Sequence, residues 1–458
     1  RGEGFWSPAL VVSSAAMARG PQGKEPKLKG MSETYDVAIV GGGIAGVVAL
    51  AAARRAGLEA IVLERQDRVG GLWRDLPAWQ DIQISALDWT LGDLPIDGTT
   101  QPHILANIEA WVEQFDLADG IWVDTPVECA RHAGTMWELD TPRGTVHSRH
   151  LIAATGAHNT PVIPALERTS STVREFHSSA LHGPQELVGR DVLVVGGGAS
   201  AFDLLDLCFE HGARNITWAY RGLRWFMPTS KPKYVAGSVR GFAQLQNSGL
   251  TTAEQSTAIE TDLRSRYAKY GVEEIMPTHP FDLEHDQLIP GRAAMMAGFD
   301  SIDRHQATVQ SIANGTITLS DGHRFDADFL LWGTGYSVDL SYFDAEEIAS
   351  ITTLDALAAR CGGLVRSLDA PDLYFPGVGL DGIGSAPWLF ALLSRSIMSH
   401  INGTAHLGDE VVSKRLNHFD IVKYLAPRDP ASYPPNEWQA HYRDIALNTP
   451  DEEPYAIP

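Results

Sequence analysis

One order of residues, occurring twice, limits what this chain can fold into. Val37-Ala38-Ile39-Val40 reads as a short buried strand, and Gly41, Gly43 and Gly46 follow in G-x-G-x-x-G spacing before an alanine-rich helical stretch. The first glycine permits a tight turn, the second lets backbone approach a pyrophosphate, and the third lets helix pack on strand. Phosphates then meet the N–H groups of the first helical turn, at Ile44 and Ala45. A second strand over 60–63 ends in Glu64, followed by Arg65. A carboxylate at that distance suits hydrogen bonding to a ribose 2′-OH and repels a 2′-phosphate, so this pocket prefers FAD or NAD to NADP.

The order returns at 191–224. A strand over 191–195 leads into Gly196-Gly197-Gly198-Ala199-Ser200-Ala201 and then an apolar-faced helix over 202–210. Ala201 replaces the third glycine, a small residue that the packing position accepts. The next strand, 215–220, ends without an acid, and Arg221 and Arg224 come after it. Losing the carboxylate and gaining guanidinium groups is how such a pocket accommodates a 2′-phosphate, which favours NADPH over NADH.

A chain of 458 residues has room for two or three domains. Its 57 acidic and 36 basic residues give a formal charge of −21, a field that disfavours nucleic acid and anionic membrane as partners. Cys129, Cys208 and Cys361 form no C-x-x-C or C-x4-C pair, so a thiol-redox enzyme, a disulfide scaffold and a cysteine-ligated metal site are all disfavoured, and no metal is expected. Residues 1–30 differ in character from the remainder of the chain and read as an extension outside the fold. Their apolar run is interrupted by Ser13 and Ser14 and makes a poor signal peptide. No run approaches the roughly 18 apolar residues of a membrane span. A cytoplasmic enzyme is expected, and self-association is left open.

Between the two glycine turns, Gly70-Gly71-Leu72-Trp73 offers a turn that could approach a ligand and an indole that could cover a ring. Helical spacing over 102–115 predicts a helix against the core. Residues 121–154 read as a β-meander ending on Thr155-Gly156, after which Pro161 and Pro164 stiffen a first crossing between domains. The stretch 225–299 is harder to parse: it holds one polar helix near 253–270 and could line a substrate cavity or be a surface elaboration, while Trp225, Phe226 and Met227 could form an apolar substrate wall or pack in the core. A second meander, from 308, leads to Gly333-Thr334-Gly335-Tyr336, where the return crossing is placed. A last strand at 373–376 precedes a glycine-rich turn and a helix from about 387, and 426–458 reads as a tail.

These motifs together resemble the class B flavin-dependent monooxygenases, in particular the flavin-containing monooxygenase group. The resemblance rests on Gly41 to Gly46, Gly70-Gly71-Leu72-Trp73, Gly196 to Ala201 and Thr334-Gly335-Tyr336, and covers about 35–401. It implies an α/β fold of two Rossmann-like domains, one for FAD and one for NADPH, each with a β-meander. The NADPH domain, 161–332, is inserted into an FAD domain of 31–160 and 333–425. It also implies the chemistry: NADPH reduces FAD, O2 adds to form a flavin C4a-hydroperoxide, and one oxygen passes to a small organic substrate, with N- or S-oxygenation expected. Two departures stand out. The group's F-x-G-x-x-x-H signature has its counterpart in Phe176 to His182, with Ser178 for glycine. Where many members place an asparagine beside the flavin, this chain has Ser85, Asp88 and Thr90, so Ser85 and Trp73 are the candidates nearest the chemistry. The arginine-bearing loop of Baeyer–Villiger enzymes is not evident, since Arg74 directly follows Trp73. Ketone oxygenation and a flavin reductase that makes no oxygenated product remain the alternatives.

Overall fold

The computed structural model describes residues 33–82, 96–158, 160–169, 172–230, 248–377, 386–412 and 418–430. They fall into two compact units. The first takes in 33–74, 96–158 and the residues from 338 onward, and the second takes in 75–82 and 160–337.

The first unit is built on strand Glu33–Val40, whose Val37, Ala38 and Ile39 are fully buried. It lies parallel to Ala60–Leu63 on one side, in register Val40↔Leu63, and to Gly144–Ala153 on the other, in register Val40↔Ala153. Buried on both faces, such strands read as continuous apolar runs. Helix Ile44–Arg55 covers one face and packs against helix Ala386–Ile401. The expected meander is present as Cys129–Ala133, Met136–Thr141 and Gly144–Ala153, paired antiparallel. Its long last strand also serves as a central strand of the parallel sheet, which carries the chain back to the glycine turn. Helix Gln101–Gln114 begins with Pro102 in its first turn and buries Ile104, Ile108 and Trp111, as its spacing predicts.

The second unit holds a five-stranded parallel sheet in the order Ile302–His305, Asn215–Ala219, Asp191–Val195, Phe329–Trp332, Arg174–His177. Helix Ala199–Glu210 packs on it, with Phe202 edge-on to Trp218 at 5.5 Å. The other face is closed by the meander Val309–Ala313, Thr316–Leu319 and Arg324–Asp326, whose Ile312, Ile317 and Leu319 join Leu193, Val195, Leu330 and Trp332 in one apolar cluster.

The boundary between the units falls after 337, next to the Gly333 to Tyr336 motif: Gly333 N–H bonds to Val195 O at 2.7 Å and Tyr336 pairs with Pro161, which keeps 333–337 in the second unit. Of the stretch 225–299, residues 225–230 and 248–299 are described, and they are regularly built. Helix Thr252–Tyr270 has a full capping box between Thr251 and Glu254 and ends on Gly271 in the left-handed region. Trp225, Phe226 and Met227 are buried core residues: Phe226 lies 4.9 Å from both Phe202 and Tyr267, and the Tyr267 hydroxyl accepts the Phe226 N–H. This is the core packing that the sequence left open for them. Among the described residues, no helix is long and apolar enough to cross a membrane.

Candidate functional site

In the first unit the glycine turn works as its spacing predicts. Gly41 takes φ +104°, and a Cβ there would lie 2.7 Å from Ala154 O, so the turn needs glycine both for its conformation and for the approach of the crossing strand. A Cβ at Gly46 would run into the Gly41 carbonyl oxygen. Gly43 caps the helix, and its carbonyl accepts the Val47 N–H at 3.0 Å, leaving the N–H groups of Ile44 and Ala45 in the unpaired first turn. Glu64 is only 4% exposed. Its Oε1 accepts the Gln66 N–H at 2.8 Å and its Oε2 accepts the Gly42 N–H. A carboxylate has about four lone-pair sites, so capacity is left for a ribose diol. Arg65, beside it, is exposed.

The Gly-Gly turn docks on this loop. Gly70 N–H bonds to Gly42 O at 2.9 Å, and a Cβ at Gly71 would sit 2.8 Å from Gly43 Cα. Gly71 therefore lets two backbones meet, a role its sequence left open. Trp73 is half-buried, and its carbonyl accepts from the Gln101 amide on helix Gln101–Gln114. Leu72 is 38% exposed. Thr155 and Gly156 complete the group: Thr155 Cα would be 3.4 Å from a Cβ at Gly41, and Gly156 takes φ +84° with open space beside it. Ser85 lies outside the described residues, as do Asp88, Thr90 and the glycine-rich turn at 378–385.

The second unit repeats the construction with one exchange. Gly196 takes φ +136° and faces the Gly333 carbonyl as Gly41 faces that of Ala154. Ala201 carries a methyl where Gly46 has none. Room for it comes from Gly333, where a Cβ would lie 2.9 Å from Ala201 Cβ, and the matching position of the first unit is Ala154. Gly198 caps the helix that begins Ala199-Ser200-Ala201, and a Cβ there would touch nothing within 4 Å. That is an open cradle at a helix N-terminus, suited to an anion. The loop bearing Arg221 and Arg224 is held by Arg224 N–H to Gly197 O at 3.2 Å and by the Gln306 amide to Arg221 O at 3.3 Å. Both arginines are exposed.

Thr334 donates through Oγ1 to Val162 O, and Gly335 takes φ +79°, close to that of Gly156. Gly335 O also receives a bond that the motifs did not suggest. His177 Nε2 lies 3.0 Å from it, while His177 Nδ1 accepts the Ser179 N–H at 3.3 Å. A carbonyl only accepts, so Nε2 carries the proton and the ring is neutral. Burial pushes its pKa below the ordinary value, against the bond to Gly335. The ring meets Tyr336 edge-on at 4.9 Å, and burial raises the Tyr336 phenol. The buried histidine at this crossing is therefore His177. His182, which the signature suggested, is exposed. Sequence reasoning also missed Gly42 and Gly197, the middle residues of each glycine run. A Cβ at Gly42 would lie 2.9 Å from Glu64 Oε2, and one at Gly197 would strike Gly222 O. The uninterrupted triplets Gly41-Gly42-Gly43 and Gly196-Gly197-Gly198 were the signal available.

All three cysteines are free, and burial pushes the thiols of Cys208 and Cys361 up to about 12.

Comparison with known proteins agrees with this construction. Residues 38–274 match the family model described as pyridine nucleotide-disulphide oxidoreductase. A Baeyer-Villiger monooxygenase of Streptomyces coelicolor is 24% identical over 67% of this chain and 65% of its own length, so the chain spans just under two thirds of that relative. The solved structure of a flavin-containing monooxygenase from Stenotrophomonas maltophilia superposes with a TM-score of 0.58 at 17% identity, covering 81% of this chain and 99% of the other. OTEMO, solved in complex with FAD and NADP, gives a TM-score of 0.62 at 16% identity over 82% and 86%. The fold is that of the two-domain flavin monooxygenases, and the chain belongs to the pyridine nucleotide-disulphide oxidoreductase family.

Proposed function

We propose that this chain binds FAD at Gly41 to Gly46 and NADPH at Gly196 to Ala201, and uses NADPH and O2 to insert one oxygen atom into a small organic substrate, with N- or S-oxygenation as the reaction. The observation that carries this reading is the contrast between two otherwise parallel turns. One is followed by the buried carboxylate Glu64, the other by the exposed Arg221 and Arg224. That contrast supports a ribose diol at the first and a 2′-phosphate at the second. A bound flavin supplies hydride acceptance and the activation of O2. The protein's part is to bind and orient. The N–H groups after Gly43 and Gly198 hold pyrophosphates, Glu64 fixes the ribose, and the Gly71 turn keeps Trp73 beside the glycine loop. His177 holds the backbone of Gly335 and Tyr336 in place as a neutral donor. The unpaired cysteines support a cytoplasmic setting.

Ketone oxygenation is the second reading, and it is favoured by the name of the Streptomyces coelicolor relative. The test is to purify the protein with FAD, follow NADPH oxidation under O2, and assay products from amine, sulfide and ketone panels by mass. A gain of one oxygen on amine or sulfide supports the main reading, and conversion of ketone to ester supports the second. NADPH consumption matched by hydrogen peroxide, with no oxygenated product from any panel, would show a reductase and overturn both.

A further inference from the structure

The edge strand Ile302–His305 of the second unit and the hairpin that follows it bring together side chains that the reading above does not use. On a strand, residues two apart share a face, so Asp303 and His305 point the same way. The turn at Asp321-Gly322, with Gly322 at φ +87°, returns the chain so that His323 lies beside them, its ring centroid 4.3 Å from that of His305. The ligand atoms of Asp303, His305 and His323 all lie within 4.8 Å of one another, and among the described residues no other group of three or more such side chains converges.

What distinguishes this cluster from a chance ion pair is the part played by Asp321. Its Oδ2 lies 2.8 Å from His305 Nδ1, whereas Asp303 Oδ2 lies 3.2 Å from His305 Nε2. Its Oδ1 accepts the His323 N–H at 2.9 Å. One carboxylate thus orients the first imidazole and holds the backbone of the second. A ligating histidine is ordinarily supported in this way, donating its other ring N–H to a carboxylate behind it. With Nδ1–H committed to Asp321, Nε2 faces Asp303 Oδ2 at 3.2 Å, where a cation would take the place of the proton between them. The His305 side chain is 12% exposed and so held by its surroundings, while that of Asp303 is 59% exposed and free to turn. Tetrahedral ligands on bonds of about 2.0–2.1 Å sit about 3.3 Å apart, a separation that side-chain rotation of Asp303 and His323 can reach.

We propose that Asp303, His305 and His323 form a surface site for a divalent first-row transition cation, with Asp321 as its supporting carboxylate. Two imidazoles and a carboxylate suit zinc, cobalt or nickel and disfavour calcium and magnesium, which take oxygen ligands. A bound cation would pin the hairpin to the sheet edge beside the loop carrying Arg221, since Tyr220 N–H bonds to His305 O at 3.0 Å. The inference is independent of the oxygenation reading.

The test is calorimetric titration of the full-length, flavin-loaded and chelator-treated protein with zinc chloride. One saturable site is expected, weakened roughly tenfold or more in His323→Ala and in Asp303→Asn, and about 10–100-fold in Asp321→Asn, which removes no ligand. His323 and Asp303 are exposed, so these variants keep the fold, and circular dichroism checks that they do. Absence of saturable binding overturns the proposal. So does binding of equal strength in His323→Ala, which would place the ion elsewhere, for example at His279 and Asp286.

Discussion

Replacing Glu64 with glutamine tests both the construction of the first glycine turn and its proposed ligand. The carboxylate receives backbone N–H groups on different oxygens, Gln66 on Oε1 and Gly42 on Oε2, and is 4% exposed. Glutamine has one oxygen, so its NH2 must face one of these N–H groups. A buried donor left without an acceptor costs about 1–3 kcal/mol, and the surviving bond falls from a charged to a neutral acceptor at about 1 kcal/mol more. The flavin-free variant should therefore be destabilised by about 2–4 kcal/mol. The ribose diol loses its charged acceptor as well, about 1–2 kcal/mol, which corresponds to FAD binding roughly 5–30-fold weaker. Urea unfolding followed by tryptophan fluorescence reads the first quantity, and quenching of flavin fluorescence on titration reads the second. A variant with the midpoint and FAD affinity of the parent would refute the argument. Lower stability with unchanged affinity would refute only the ribose contact.

Three further outcomes are expected. Gly198 has φ −115° and open space around it, so Gly198→Ala should change stability by no more than about 1 kcal/mol; it should nevertheless raise the KM for NADPH roughly tenfold, about 1.4 kcal/mol, in steady-state kinetics, and an unchanged KM would remove the pyrophosphate from that cradle. With the Cys208 and Cys361 thiols pushed up to about 12, iodoacetamide at pH 8 should label only Cys129 in the native protein, read by peptide mass, and native labelling of Cys208 would contradict its burial. His177 is held neutral with a depressed pKa. Its contribution is complete above the unfolded value of about 6.5 and is lost as pH falls through the folded value, with a slope of up to about 1.4 kcal/mol per pH unit. Urea midpoints of the parent should thus fall faster than those of His177→Gln as the pH drops from 7.5 to 5, and parallel curves would show that His177 is not buried neutral.

The sequence alone determined the parts of this protein that depend on local chemistry. A β-branched run, glycines at fixed spacing and an apolar helix must form strand, turn and helix wherever they occur, because the turn's φ values and the close approach of backbone admit little else. Glu64 and the arginines at 221 and 224 were legible for the same reason, since their distance from the turn along the chain fixes their place beside it. The meanders were legible from their alternation and their glycine-bearing bends.

Tertiary structure decided whatever depends on which distant residues meet. Nothing in the local pattern around Gly42 or Gly197 shows that Glu64 or Gly222 will press against it. Ala201 tolerates its methyl only because Gly333, more than a hundred residues away, has none. His177 gained its role from Gly335, and Trp225 and Phe226 became core when helix Thr252–Tyr270 brought Tyr267 against them. Asp303, His305, Asp321 and His323 converge because an edge strand and a hairpin happen to meet. Spacing along a chain specifies a turn, whereas contacts between elements are specified by packing, which no single segment encodes.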